Sequence, residues 1–300
     1  MGDALQPAAG RLTLERGSFV PPPGYDDVTN YAYRGPNEVP RLKVHYVPDL
    51  DAVGGLDAAL KNYQAHVVKF LLAQVESATP APTQRGDLTT ETLVFTFPGT
   101  GPNDPYDRYR ERCGIGRFPK GAGFQIEYVT SAEDAASEGV FETVLSSVRL
   151  VGEAAPGGKA PPGFVRRQAG AVTLAVPVEL QPPTSFHFVR EEDGSKARLT
   201  VAIAGSADDA RALLEEHLKG LGIVPEQVAA LAQAPAALAR AVWKAPRHSS
   251  KGDVARTFCH QVKPVKDAHV VVLGEATADW HDRLLGDFDR LIDSSSEGWR

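Results

Sequence analysis

One strand-and-helix phrase is written twice in this chain, and it narrows the fold more than any other feature. In Arg41–Val47, Leu42, Val44 and Tyr46 alternate with Lys43 and His45, the period of a half-buried strand. After the turn-forming residues Asp49 to Gly55 the spacing becomes helical, and Leu56, Leu60, Tyr63, Val67, Phe70 and Leu71 form one stripe. The order returns at Lys196–Leu221. There Leu199, Val201 and Ile203 alternate, and Ser206 is placed to cap a helix carrying Leu213, Leu214, Leu218 and Leu221. Each large apolar side chain in these stripes contributes about 1.5–3 kcal/mol when fully buried, so both helices are committed to packing on a sheet.

The remaining segments fall into the same order around both phrases. In the first half, strands are expected at Thr92–Phe97, Tyr109–Phe118 and Phe124–Val129. A closing helix over about 132–148, capped by Ser131, carries Phe141, Val144 and Leu145. In the second half, strands are expected at Thr184–Arg190, Arg240–Lys244, Val254–Lys263 and His269–Leu273. An Ala-rich helical stretch, Glu226–Leu238, is interrupted by Pro235, and the closing helix carries Leu284, Phe288, Leu291 and Ile292. Glu153–Gly163, rich in Pro and Gly and without periodicity, reads as a linker. The expected organisation is therefore an α+β duplication: one domain over 1–152, a linker over 153–163, and a diverged second copy over 164–300. Short turns between strands make each sheet mainly antiparallel.

The residue types exclude several functions. A net charge of −6 with mixed signs gives no footprint for nucleic acid. No apolar run is long enough for stable membrane insertion, and no basic-then-apolar leader opens the chain, so a cytoplasmic location is expected. The eight histidines are scattered without metal-ligand spacing, which leaves no metal site. Cys259 and His260 are strand neighbours and point to opposite faces, so they form no dyad. Cys113 lies near Arg110 and Arg112, which could lower its pKa, although a structural thiol is the simpler reading. The glycines at 114, 116, 121 and 123 lie between strands and cradle no phosphate. No catalytic set and no cofactor motif is present.

That directs attention to the sheet faces turned away from the helix stripes. In the first half this face is expected to carry Lys43, His45, Val94, Gln125 and Val129. In the second it is expected to carry the small, largely apolar Thr200, Ala202, Val270 and Val272, with Thr257 and Cys259. Such a face is either covered or binds a partner.

Residues 12–150 carry a resemblance. Leu14-Glu15-Arg16-Gly17-Ser18-Phe19-Val20-Pro21, then Gly24-Tyr25-Asp26-Asp27 and Thr29-Asn30, resembles the opening of DcrB-like proteins, with a Gly-Ser-Phe strand, a Pro, an aromatic-Asp turn and an Asn. The resemblance implies the PsbP-like fold for this half, which with the repeat makes the expected architecture two tandem PsbP-like domains. It also implies membership of the cytoplasmic branch, the effector-associated (Eag) chaperones of bacterial type VI secretion. Such chaperones bind and shield the apolar or transmembrane N-terminal segment of an effector. The second half departs from the pattern, reading Gly170-Ala171-Val172-Thr173-Leu174-Ala175-Val176-Pro177 instead. The expected function is thus a non-catalytic effector chaperone or adaptor. The alternative is a small-molecule-binding or immunity-type module on the same fold.

Overall fold

The computed structural model describes residues 12–13, 18–36, 38–78, 82–85, 87–99, 104–152, 160–220, 240–247, 254–265 and 268–295. In chain order these begin with three short strands, β1 (Leu12–Thr13), β2 (Ser18–Phe19) and β3 (Asp26–Asp27), followed by β4 (Tyr31–Arg34) and β5 (Arg41–Val47). Helix α1 (Gly55–Leu71) leads to β6 (Gln74–Ala78), β7 (Thr83–Arg85), β8 (Leu88–Pro98), β9 (Arg108–Arg117) and β10 (Gly123–Ser131). Then come α2 (Ser137–Ser146), β11 (Arg149–Leu150), β12 (Phe164–Ala169), β13 (Val172–Pro177), β14 (Ser185–Glu192) and β15 (Ser195–Ala204). The last elements are α3 (Ala207–Gly220), β16 (Arg240–Arg247), β17 (Val254–Val265), β18 (Ala268–Thr277) and α4 (His281–Ser294). The Ala-rich stretch 226–238 lies outside the described residues.

The class is α+β with antiparallel sheets, and the chain divides into two compact units. In the unit built on residues 30–183, the sheet order is β4-β5-β10-β9-β8-β6, with β7 also paired to β8. Helix α1 packs on β8 and β9, burying Leu56, Leu60 and Val67 against Leu93, Phe95, Cys113 and Ile115. Phe70, expected in that stripe, is 62 % exposed, because its position rotates away from the line of Leu60 and Val67. Helix α2 packs on the other face, where Phe141 and Leu145 close over Gly114; a Cβ there would meet both side chains. It starts later than expected. Residues 132–136 form a turn instead, with the Ser131 hydroxyl accepting from the Glu133 amide and Asp134 accepting from Ala136.

In the unit built on residues 8–29 and 184–300, the order is β3-β14-β15-β18-β17-β16. Five strands thus occupy matching places in the two sheets: β4 and β14, β5 and β15, β10 and β18, β9 and β17, β8 and β16. Among the described residues each unit also has a helix after its second matched strand and another after its last. The two sheets therefore share a strand order. The Ser206 hydroxyl accepts from the Asp209 amide at 3.1 Å, capping α3 as expected. Ala210, Leu214 and Leu218 of α3 pack on Ala202, Ala204, Val262, Val271 and Leu273.

The expected division at 153–163 is not the observed one. Residues 164–183, assigned by their position to a second domain, belong to the first unit: the β12–β13 hairpin packs on α2, and Gln181 bridges Arg34 of β4. Residues 18–29, which carry Ser18-Phe19 of the first motif and Tyr25-Asp26-Asp27 of the second, belong to the second unit. There β2 packs on α4, Phe19 meets the rings of Phe186 and Phe188 edge-on at 5.6 and 5.8 Å, and Asp26–Asp27 pairs with β14. Each unit is completed by the opening strands of the other half. A linker composition marks where regular structure stops; it does not say which sheet the following strand joins.

Candidate functional site

Strand register decides which side chains share a face, because residues directly opposite each other point the same way. In the first unit three rows cross β5, β10 and β9 on the face that α1 partly covers: Arg41–Val129–Glu111, Lys43–Glu127–Cys113 and His45–Gln125–Ile115. Lys43, His45, Gln125 and Val129 therefore do share one face. Val94 does not. Its neighbour is Arg112, opposite Tyr128 and Leu42, so it lies on the α2 side. Val129 is buried, whereas His45 is 44 % exposed at its side chain.

These rows bring together a polar cluster. Glu127 accepts from Gln125 Nε2 at 2.8 Å, and its carboxylate lies 3.5 Å from Lys43 Nζ and 3.9 Å from His45 Nε2. In the row beside it, buried Glu111 accepts from the Tyr63 hydroxyl, which reaches down from α1. Burial, and then the negative charge of Glu127, push the Glu111 carboxyl up from 4.5 to about 7, against the Tyr63 hydrogen bond and the charges of Lys43 and Arg41. Burial and the charge of Glu111 push the Tyr63 hydroxyl upward as well, so it stays a donor. Cys113 beneath them is pushed well up, by burial first and then by Glu111 and Glu127, and it remains a thiol. Arg110 and Arg112 do not lower it: three residues and one residue before it on the strand, they point to the opposite face, Arg110 on Glu76 at 2.9 Å and Arg112 on Ser137. Among the described residues no group of three or more His, Cys, Asp or Glu could hold a metal ion.

Glu111, Glu127 and Tyr63 were missed in the sequence. The signal was available: both glutamates fall in phase with Lys43 and His45 once β5, β10 and β9 are registered, but register is not readable from one strand at a time.

On the face of the second sheet that α3 covers, the rows include Arg198–Glu275–Phe258 and Thr200–Leu273–His260. Next to them Arg256 is opposite Thr277, whose hydroxyl accepts from the Lys196 amide at 3.4 Å. The four residues expected to form a partner surface here do not form one. Thr200 and Ala202 face α3, whereas Val270 and Val272 lie opposite Ile203 and Val201 on the α4 side, and all four are 0–6 % exposed. Helices cover both faces of this sheet, so the small apolar residues are core.

The fold and this face define an α+β protein of two units in which each of the two large sheets carries a buried glutamate opposite a basic residue, Lys43 with Glu127 and Arg198 with Glu275. No family model and no curated protein matches the chain. Among solved structures it is similar to the apo immunity protein TplEi of the T6SS from Pseudomonas aeruginosa, at 12 % identity and a TM-score of 0.42, over 96 % of this chain and 97 % of that one. It is also similar to the Tle4–Tli4 complex, at 11 % identity and a TM-score of 0.43, over 97 % of this chain and 98 % of that one. No helix among the described residues is long and apolar enough to cross a membrane.

Proposed function

We propose that the chain is a non-catalytic module that binds a type VI secretion effector as an immunity-type protein, meeting a folded, polar partner. The observation that supports this is the contrast between the two faces expected to bind. The small apolar residues that would cradle an apolar segment, Ala202, Val270 and Val272, are core, whereas Lys43 presents a charge and His45 an exposed imidazole beside buried Glu127. A surface of that kind selects a partner by charge complementarity. The type VI assignment comes from the resemblance of residues 14–30 to DcrB-like proteins, and the proposed compartment is the cytoplasm, which cell fractionation checks.

The test is co-expression with each effector encoded beside the gene, with effector capture and growth rescue as readouts. Wild-type chain should capture one full-length effector and restore growth. The Lys43→Glu variant should weaken capture about tenfold, the range of a charge reversal at an interface. Equal capture by the variant refutes the proposed face. A second reading, the effector chaperone, is favoured by exposed Val68, Phe70, Leu72 and Val75 at and after the end of α1. Capture of an isolated apolar N-terminal segment, without growth rescue, would establish that reading instead.

A further inference from the structure

On the α3 face of the second sheet Lys196, Arg198 and Arg256 gather around a single carboxylate, Glu275, which gives the group two excess positive charges. These four side chains line a recess of about 190 Å³. Arg256 places Nη1 3.0 Å from Glu275 Oε1, and its buried Nε has no hydrogen-bond partner. Lys196 is shared with Glu191 at 3.1 Å in a pair both of whose members are well exposed, which screens it strongly. Exposed Arg198 forms no ion pair among the described residues, and its charge, after burial, helps hold the His187 imidazole below its ordinary value.

We propose that this recess is an oxyanion site, taking a phosphate or carboxylate group between Arg198, Arg256 and Lys196. Guanidinium groups present planar pairs of donors that fit such groups, and an anion there would satisfy the Arg256 Nε–H and offset the excess charge. Glu275 limits affinity: it occupies part of Arg256 and repels the ligand.

The test uses the whole chain without an effector, so its failure leaves the effector reading standing. Calorimetric titrations with inorganic phosphate and with acetate, at constant ionic strength, separate the two sources of the group. Wild type should bind at least one of them at millimolar concentration. Arg198→Ala, an exposed change that leaves the core intact, should weaken binding about tenfold, and Glu275→Gln should strengthen it by a similar factor. The Arg256 Nε–H resonance should shift on titration. Absence of binding to wild type, or equal binding by wild type and Arg198→Ala, overturns the site.

Discussion

Glu111 makes the stability of the protein depend on pH in a way that one substitution should abolish. Its carboxyl is raised from 4.5 to about 7, chiefly by burial and secondarily by Glu127. A carboxyl held above its ordinary value binds its proton more tightly when folded than when unfolded. Its stabilising contribution is therefore complete below pH 4.5, is lost as pH rises to about 7, and stays lost above that. At about 1.36 kcal/mol per pKa unit, the cost of keeping Glu111 ionised in the fold is about 3 kcal/mol. Glu111→Gln replaces the ionised group with a neutral one whose carbonyl oxygen still accepts from Tyr63. The variant should be more stable than wild type by about 2–3 kcal/mol above neutral pH and close to it in mild acid. Denaturant unfolding at a series of pH values from about 5 to about 8 reads this directly, as a wild-type slope that the variant lacks. His45, Lys43, Arg41 and Glu127 face the same cluster in both proteins, so the difference between the two slopes isolates Glu111. Equal slopes, or a variant less stable than wild type at the alkaline end, would refute the argument.

Two further outcomes follow from the packing. Phe19→Ala removes a ring that is 1 % exposed and edge-packed on Phe186 and Phe188, so it should cost about 3–5 kcal/mol, measured by denaturant unfolding. Hydrogen exchange should show the loss of protection in β14 and α4, and a loss confined to residues 30–183 would contradict the assignment of the opening strands. Cys113 and Cys259 are both buried, and the Cys113 thiol is raised well above its ordinary value, so neither should react with iodoacetamide before unfolding. Rapid labelling of either in the native protein would show that its sheet face opens.

The elements of the fold were largely legible because their periods are strong. Leu42, Val44 and Tyr46 mark β5, Leu93, Phe95 and Phe97 mark β8, and the stripes of α1 and α4 identify their core faces. The repeated phrase marks β5 with α1 and β15 with α3, which hold matching places in the two sheets. What local pattern does not carry is pairing. The alternation at Val270–Leu273 reads equally well with either face inward, and only the register with Leu199–Ile203 places Val272 under α4 and Val271 under α3. Similarly, nothing within Gly17-Ser18-Phe19 says that its ring will fill a space beside Phe186. The polar cluster was half visible, since Lys43, His45 and Gln125 stand out against apolar neighbours. Glu111 and Glu127 were hidden among residues that look like ordinary solvated charge, and burial is a property of the packed sheet.

The exchange of opening strands has a consequence for how the protein is made. The amide of Val20 donates to the Ser294 hydroxyl, across a separation of 274 residues. At ribosomal speeds of roughly 5–20 residues per second, residues 18–29 leave the exit tunnel on the order of ten seconds to a minute before their last partners are synthesised. The first unit has no such wait, because its last hairpin, β12–β13, is complete by Pro177. Synthesis should therefore close residues 30–183 first, while Phe19 and Tyr25 stay uncovered until α4 emerges. A ribosome stalled just before residue 281 would display an N-terminal segment open to protease on a chain whose first sheet is already closed.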